Sequence, residues 1–301
     1  MASASYRGRF APSPTGPLHF GSLVSAVGSY LEARSHHGEW LVRIEDLDPP
    51  REMPGATDSI LRALEACGFV WDGAPEYQNR RSAYYEAALE KLKRDGLIYP
   101  CACTRKEIAD SATSGIEGFV YPGTCRHGVS SQRAHYAWRL RVEDADIFFE
   151  DAVQGKQQQN LARDIGDFVL KRADGLYAYQ LAVVVDDAEQ GITHVVRGSD
   201  LIDSTPRQIA LQRALGIAQP GYAHLPIATN AAGEKLSKQT QAAPLDLARA
   251  GTALWSALQF LGQQPPPELQ RATPQELWSW AHNHWNLEKA PKRRSIAANG
   301  V

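Results

Sequence analysis

Two segments of the sequence combine residue types that could bind a nucleotide. The first joins a proline-rich turn at residues 13–17 to residues 18–22, where His19 and Gly21 precede an apolar helical pattern over 23–33. A helix N-terminus offers free N–H groups and a dipole that favour phosphate, and His19 can donate to a phosphate oxygen. The alternative is an ordinary turn with a surface histidine, and residue types alone do not decide between the two.

The second segment, residues 233–239, is a polar loop in which Lys235 and Lys238 flank Ser237. Two cations beside a hydroxyl could neutralise a phosphate group. Taken alone, however, such a loop is usually a solvated surface feature. Whether residues 233–239 bind a phosphate group can therefore be judged only together with the first segment.

Three cysteines have a spacing that is compatible with a metal site. Cys101 and Cys103 form a Cys-x-Cys pair, and Cys125 follows one loop later. Three thiolates suit tetrahedral zinc, with His127, Tyr121 or a water as the fourth ligand. The alternative is a group of reduced structural cysteines, because three thiols fall short of a Cys₄ site.

Two arginines are candidates for binding an acidic ligand. Arg197 stands at the end of a buried-strand candidate over 192–198, and Arg9 lies in the segment before the first turn. A guanidinium at a strand end suits a carboxylate or phosphate ligand. The alternative is that Arg197 pairs with a carboxylate of the protein. The nearby candidates are Asp186, Asp187 and Asp200.

The elements that must position these residues alternate between strand and helix. Residues 7–12, 23–33 and 40–46 predict a strand, a helix and a strand, which form a right-handed βαβ unit with parallel strands. Ligands bind outside the carboxyl ends of such strands, where the turn over 12–22 and Glu45 lie. We therefore expect an α/β protein whose site is at this edge of the sheet.

The rest of the chain continues the α/β pattern. Amphipathic helices are predicted over 55–68 and 80–96, and a helical pattern surrounds 254–261. Further strand candidates are 137–142, 147–149, 168–172, 192–198 and 224–228. Thr205 opens a helix with a capping-box pattern, and the basic tail 289–294 is expected to be a frayed terminus.

The composition is that of a globular protein with one large domain or two ordinary ones. The 301 residues are 43% hydrophobic and 22% charged, which excludes disordered, collagen-like and coiled-coil chains. There is no apolar run of about 18 residues that would cross a membrane, and no signal peptide pattern. Four cysteines are too few for a disulfide scaffold. We expect a soluble cytoplasmic protein, and its net charge of −2 means that RNA binding would require local patches.

Residues 10–22 resemble the ATP-binding signature of the class I aminoacyl-tRNA synthetases of the glutamyl group. That signature usually reads His-Ile-Gly-His, and this chain has Phe20 and Ser22 at its second and fourth positions. Residues 233–239 resemble the Lys-Met-Ser-Lys-Ser loop of the same class, with Leu236 in place of Met and Gln239 in place of the last Ser.

The resemblance implies an α/β fold with a Rossmann-type catalytic domain, a parallel sheet, and ATP with Mg²⁺ as substrate. It assigns catalytic roles to His19 and Lys238. The residues that it implies for ATP binding are His19, Gly21, Ser22, Lys235, Ser237 and Lys238.

Residues 179–182 and 197–198 resemble the amino-acid pocket of the glutamyl-tRNA synthetases. In that resemblance Glu45 takes the α-ammonium of glutamate and Tyr179 supplies a hydroxyl. Arg9 and Arg197 select glutamate over glutamine by charge. The residues implied for glutamate binding are Arg9, Phe10, Ala11, Pro12, Ser13, Glu45, Tyr179 and Arg197.

The cysteine-rich segment resembles that of a shortened branch of this group, the glutamyl-Q tRNA(Asp) synthetases. The resemblance implies one structural Zn²⁺ in an insertion of the catalytic domain. Its ligands would be Cys101, Cys103, Tyr121 and Cys125. The implied organisation is a first catalytic half over 7–98, a zinc-binding part of the insertion over 99–140 (with the insertion extending to about 165), a second catalytic half over 166–240, and a short helical C-terminal region over 241–301.

That branch implies that no anticodon-binding domain follows and that activated glutamate is transferred to queuosine in the anticodon loop of tRNA(Asp). The partners would be glutamate, ATP and the tRNA(Asp) anticodon stem-loop, with no membrane, and the enzyme would be a monomer. One alternative is a shortened glutamyl-tRNA synthetase that charges tRNA(Glu). Another is an inactive synthetase-like protein that binds RNA, which would predict decay of ATP-handling residues such as His19 and Lys238, and both are present.

Overall fold

The structure is a computed structural model that describes residues 5–116, 118–129, 132–230, 233–236 and 243–298. Within these ranges the α-helices are α1 (Phe20–Ser35), α2 (Ala56–Ala66), α3 (Ser82–Arg94), α4 (Arg105–Ser111), α5 (Leu161–Asp164), α6 (Tyr179–Glu189), α7 (Thr205–Leu215), α8 (Ala250–Phe260) and α9 (Pro274–His284). The β-strands are β1 (Arg7–Phe10), β2 (Glu39–Ile44), β3 (Glu76–Tyr77), β4 (Ile98–Cys101), β5 (Ser114–Gly115), β6 (Gly118–Phe119), β7 (Ala137–Leu140), β8 (Asp146–Asp151), β9 (Gly155–Asn160), β10 (Val169–Lys171), β11 (His194–Gly198), β12 (Gly221–Leu225), β13 (Ile227–Thr229) and β14 (Ser295–Ala297). Among the helices in this part of the chain, none is both long enough and apolar enough to span a bilayer.

The N-terminal segment forms the predicted βαβ unit. Strands β1 and β2 pair in parallel, and α1 between them buries its apolar face, including the fully buried Leu23 and Val27. Prolines follow β1 and stop it, because proline has no N–H for a ladder. The N–H of Glu45 donates to the carbonyl oxygen of Pro12 at 3.0 Å, which fastens the turn to the end of β2.

Strands from later in the chain lie beside this βαβ unit. Strands β8, β12 and β11 run in parallel, and β9 pairs antiparallel with β8. Strand β11 lies next to β1, because the N–H of Thr193 donates to the carbonyl oxygen of Arg7 at 3.0 Å. The carboxyl ends of the parallel strands therefore meet at one edge, where ligands bind in such sheets. The residues at those ends are Phe10, Ile44, Gly198 and Leu225.

The segment that carries the cysteines projects from a small antiparallel sheet of β10, β7 and β4. It packs back against the body where Tyr121 forms a bridge with Gly166. Gly166 has a φ of +75°, and a Cβ there would lie 2.3 Å from the carbonyl oxygen of Tyr121. Glycine is therefore required for this close approach. The boundaries of the insertion at 99, 140 and 165 remain predictions.

The C-terminal part differs from its prediction at the tail. Helices α8 and α9 confirm the helical pattern, but β14 pairs in parallel with β13, with Ser295 opposite Ile227. The N–H of Ile227 donates to the carbonyl oxygen of Arg294 at 3.0 Å, so the expectation of a frayed segment over 289–294 is wrong. The predicted strand over 224–228 is divided at Pro226, which lacks an N–H to continue the ladder.

Candidate active site

A cleft of about 680 Å³ opens at the carboxyl ends of the parallel strands. It is lined by every residue predicted to bind glutamate or ATP that the described ranges include. These residues are Arg9, Phe10, Ala11, Pro12, Ser13, His19, Gly21, Ser22, Glu45, Tyr179, Arg197 and Lys235. Ser237 and Lys238 lie outside the described residues. The fold thus brings residues from distant parts of the sequence to one cleft.

His19 lies at the junction of the first turn and α1, where it forms the N-cap. Its Nδ1 accepts a hydrogen bond from the N–H of Ser22 at 3.3 Å, and its Nε2 lies 3.1 Å from the Ser22 hydroxyl. With Nδ1 as acceptor, a neutral ring carries its proton on Nε2. His19 therefore caps the helix, and its Nε2–H, which faces the Ser22 hydroxyl, lies at the cleft.

The two signature segments lie close together at Gly21. A Cβ at this position would lie 3.2 Å from Cε1 of His19 and 3.4 Å from the carbonyl oxygen of Leu236. The first distance is tighter than an ordinary contact, and the second is an ordinary van der Waals contact. A side chain at position 21 would therefore crowd the His19 ring, while the start of the second signature lies within contact distance of the helix N-terminus.

Lys235 enters the cleft from the second signature. Its ammonium forms an ion pair with Asp200 at 2.5 Å, and the N–H of Leu236 donates to the carbonyl oxygen of Ala228 at 2.8 Å. These contacts tie the beginning of the loop to the edge of the sheet. An ATP phosphate at Lys235 would have to compete with the Asp200 carboxylate.

Arg9 lies at the bottom of the cleft and is bound by Asp187. Its Nε and Nη2 donate to the two carboxylate oxygens at 3.1 and 3.3 Å. Arg43, which is fully buried, donates to the same carboxylate at 2.7 Å. Burial alone would raise the pKa of Asp187, but the two guanidinium groups outweigh it and hold that pKa below its usual value.

Arg197, at the end of β11, is held by neutral groups instead. Its Nε donates to Nε2 of His224 at 3.0 Å, Nη1 to the hydroxyl of Tyr179 at 3.3 Å, and Nη2 to Oγ1 of Thr205 at 2.9 Å. Within the described ranges no carboxylate oxygen lies within 4 Å of this guanidinium. The alternative that Arg197 pairs with an aspartate is therefore wrong. The three candidates Asp186, Asp187 and Asp200 bind Arg81, Arg9 and Lys235.

Thr205 shows why the capping prediction for α7 fails. The N-cap of α7 is Ser204, whose side chain makes no capping hydrogen bond, and Thr205 lies inside the helix. Its hydroxyl accepts the hydrogen bond from Arg197 and is fully buried. The sequence pattern thus predicts a capping role for this hydroxyl, but in the fold it binds Arg197 instead.

Glu45 points into the cleft beside the two arginine positions. Burial raises the pKa of its carboxyl to about 7, although Arg43 and Arg9 act in the opposite direction. Its closest cation is Arg43, at 3.7 Å. An empty cleft therefore leaves Glu45 partly protonated near neutral pH, ready to ionise beside an incoming ammonium group.

The three cysteines of the insertion form a compact cluster with Tyr121. The Sγ atoms of Cys101, Cys103 and Cys125 all lie within 4.8 Å of one another. The Tyr121 hydroxyl lies 3.3 Å from Sγ of Cys101 and 3.7 Å from Sγ of Cys103, and it accepts a hydrogen bond from the N–H of Cys125 at 3.0 Å. His127 is exposed and is not a member of this cluster.

These separations fit a tetrahedral zinc ion. Zn–S bonds of about 2.3 Å and a Zn–O bond of about 2.0 Å place two sulfurs about 3.8 Å apart and a sulfur and an oxygen about 3.5 Å apart. The cluster shows 3.6 Å between Sγ of Cys103 and Cys125, besides the two Tyr121 distances. Burial opposes ionisation of the Cys101 thiol, yet hydrogen bonds from Tyr121 and Arg139 lower its pKa. The donor set can therefore hold a zinc ion.

Sequence reasoning missed three residues of this site. Asp187 is the partner of Arg9, His224 is the partner of Arg197, and Asp151 binds His224. Asp187 has a weak sequence signal, because its position suggests a carboxylate partner for Arg197, whereas in the fold it binds Arg9. His224 and Asp151 carry none, because their strands are read only as hydrophobic patterns.

Comparison with known proteins identifies the family that this chain resembles. The family described as "tRNA synthetases class I (E and Q), catalytic domain" matches residues 5–252. Relatives named glutamyl-Q tRNA(Asp) synthetase from Chromobacterium violaceum and Dechloromonas aromatica are each 60% identical to this chain, over 97% and 98% of both chains respectively. A crystal structure of glutamate–tRNA synthetase from Elizabethkingia anophelis superimposes with a TM-score of 0.81 at 26% identity, covering 98% of this chain and 68% of that one.

Proposed function

This chain belongs to the catalytic-domain family of the class I tRNA synthetases (E and Q), and we propose that it activates glutamate with ATP and transfers it to queuosine in the anticodon loop of tRNA(Asp). It is a ligase of the aminoacyl-tRNA synthetase type. The observation that carries the proposal is that Arg197, which has no carboxylate partner among the described residues, lines the same cleft as His19 and Gly21. Relatives that this chain matches over 97–98% of their length are named glutamyl-Q tRNA(Asp) synthetase.

Activation requires the glutamate α-carboxylate to attack the α-phosphate of ATP while pyrophosphate leaves. The N-terminus of α1 and the Nε2–H of His19 can bind phosphate oxygens at one end of the cleft. Lys235 lines the same cleft, and Lys238 follows it three positions later in the sequence. We assign these cations to the negative charge that develops on the leaving group, with Mg²⁺ bound to the ATP substrate.

Selection of glutamate requires positive charge at the other end of the cleft. Arg197 offers an uncompensated guanidinium, and Tyr179 lies against it at 3.3 Å. We assign the glutamate side-chain carboxylate to this group, and the α-ammonium to Glu45. Glutamine would leave the buried guanidinium facing a neutral amide, which loses a charge-assisted hydrogen bond.

The names of the relatives support the proposed RNA acceptor, and the chemistry of the reaction is compatible with it. In ordinary charging, a hydroxyl of the terminal ribose cis-diol attacks the activated carbonyl. Queuosine carries a cyclopentene cis-diol that can present a hydroxyl in similar geometry. The chain also matches relatives named for tRNA(Asp) over 97–98% of their length, but only 68% of the glutamate–tRNA synthetase. We further propose that the enzyme is a cytoplasmic monomer that takes the anticodon stem-loop as its RNA partner.

The metal cluster completes the proposal. We assign one zinc ion to Cys101, Cys103, Tyr121 and Cys125, because three separations among their donor atoms, 3.3, 3.6 and 3.7 Å, are close to those of tetrahedral ligands. A zinc ion there would supply cross-links within the insertion and no chemistry at the cleft. The buried Cys125 and Tyr121 then fix the loop that packs on Gly166.

The test supplies ATP and radiolabelled glutamate with two tRNA pools, one from queuosine-containing cells and one from queuosine-deficient cells. We expect label only in the first pool, and we expect periodate oxidation of the queuosine diol to abolish it. Equal labelling of both pools would favour charging of tRNA(Glu). Absence of glutamate-dependent ATP–pyrophosphate exchange would favour the inactive RNA-binding alternative.

A further inference from the structure

His224 and Asp151 form a buried pair directly behind the amino-acid end of the cleft. His224 is fully buried, Asp151 is 2% exposed, and neither lines the cleft. Nδ1 of His224 lies 2.5 Å from Oδ2 of Asp151. On the other side of the ring, Nε2 lies 3.0 Å from Nε of Arg197. The three side chains thus form a hydrogen-bonded series that ends at the cleft.

The direction of these hydrogen bonds follows from the groups involved. A guanidinium has only donors, so Nε2 of His224 must accept from Arg197, and the ring proton must be on Nδ1. That N–H donates to the Asp151 carboxylate. Burial lowers the pKa of His224 to about 4, although the bond to Asp151 opposes the change, and a neutral ring is consistent with this assignment.

Asp151 is itself held in place by the backbone. Its Oδ1 accepts from the N–H groups of Val153, Gln154 and His224 at 3.0, 2.8 and 3.0 Å. Asp151 also lies opposite Tyr222, where β8 pairs with β12. The carboxylate therefore fixes the His224 ring through both its backbone and its side chain.

We propose that Asp151 and His224 are positioning residues that hold the Arg197 guanidinium in the amino-acid pocket and so set the preference for glutamate over glutamine. The proposal rests on the proposed function, since it concerns the same pocket. A neutral acceptor is essential to it: the imidazole fixes Nε of Arg197 without neutralising its charge. An aspartate in that place would fix the group equally well but would remove the charge that selects the substrate, as Asp187 does for Arg9.

The test compares three variants in amino-acid-dependent ATP–pyrophosphate exchange. His224→Leu removes the acceptor, and we expect the KM for glutamate to rise on the order of 10- to 100-fold, with the KM for ATP unchanged. The ratio of kcat/KM for glutamate to that for glutamine should fall by a similar factor. His224→Gln supplies an amide oxygen near the position of Nε2 and should recover most of both losses, and Asp151→Asn should have an intermediate effect.

The matched control is Ser29→Ala, which removes a buried 3.0 Å hydrogen bond from the Trp40 indole, away from the cleft. It should lower the melting temperature without changing the KM for glutamate or the selectivity. If His224→Leu behaves like this control, the positioning role is overturned. If neither His224 variant folds, Asp151→Asn decides, and an unchanged glutamate KM in that variant contradicts the proposal. A wild-type protein that does not activate glutamate contradicts the proposed function instead.

Discussion

Arg9 and Asp187, 178 positions apart in the sequence, form a buried ion pair in which two N–H groups meet two carboxylate oxygens at 3.1 and 3.3 Å. The pair places a guanidinium at the bottom of the cleft but compensates its charge. Arg197, on the neighbouring strand β11, is bound by an imidazole and two hydroxyls, and among the described residues no carboxylate compensates its charge. Two arginines that look equivalent in the sequence therefore differ in what they offer a ligand.

This difference predicts unequal effects on amino-acid selection. Arg197→Gln should reduce the preference for glutamate over glutamine by about 100-fold, because a charge-assisted pair in the pocket is lost. Arg9→Gln should mainly reduce stability, by about 3–5 kcal/mol, because it leaves the buried Asp187 with Arg43 alone. Exchange kinetics with both amino acids and denaturant unfolding measure the two effects. An equal loss of selectivity in both variants would contradict this assignment.

Glu45 predicts that glutamate binding depends on pH. Its pKa of about 7 in the free protein means that the carboxyl is protonated below neutral pH and cannot pair with the α-ammonium. Binding must then release the proton, so the Kd should rise by up to about tenfold for each pH unit below 7 and level off above pH 8. Titration calorimetry in buffers of different ionisation enthalpy measures both the Kd and the proton release. Glu45→Gln should bind more weakly and without this pH dependence, and a pH-dependent Glu45→Gln variant would argue for another titrating group.

Lys238 predicts a loss in the activation step. Lys238→Ala should lower the rate of glutamate-dependent ATP–pyrophosphate exchange by about two to three decades, because one cation that stabilises the leaving group is removed. Lys238→Arg keeps the charge and serves as the matched control, with a smaller loss expected. Exchange at the wild-type rate in Lys238→Ala would remove this residue from the mechanism.

The metal cluster predicts one zinc ion per chain, measurable by atomic emission on protein purified without chelators. Cys103→Ser should lower the zinc content and the melting temperature, because metal binding contributes folding free energy to the insertion. Cys67→Ala is the matched control, since Cys67 is a buried free thiol in the core around α1. It should retain the full zinc content. A wild-type protein without zinc but with normal glutamyl transfer would rule out a necessary role for the metal.

Much of the site follows from local sequence. The turn over 12–22, the apolar face of α1 and the strand before Glu45 are each determined by nearby residues: prolines that stop a strand, glycines that permit close approach, and hydrophobic periodicity. The topology of a βαβ unit then places the turn and Glu45 at the same sheet edge. The position of this turn and of Glu45 could therefore be predicted from local patterns, whereas the other residues expected in the cleft were implied by the family resemblance.

Partner choice could not be predicted, because it is a property of three-dimensional distance. Asp187 lies closer in sequence to Arg197 than to Arg9, yet in the fold its carboxylate lies 3.1 Å from Nε of Arg9. Thr205 matches a capping pattern, but its hydroxyl accepts a hydrogen bond from Arg197, because the fold brings this tertiary donor to the start of α7. Local spacing carries no information about either competition.

The pair behind Arg197 shows the same limit most clearly. Asp151 and His224 are 73 positions apart, and each lies in a strand whose pattern indicates only burial. Parallel pairing of β8 with β12 brings them together, and no periodicity specifies which strands become neighbours across a sheet. The sequence by itself thus determined which residue types meet at the sheet edge, namely a histidine and glycines at a helix N-terminus and an arginine at the end of a strand. Only the tertiary structure decided which guanidinium has its positive charge compensated by a carboxylate. That depends on which groups the packed sheet places within hydrogen-bonding distance.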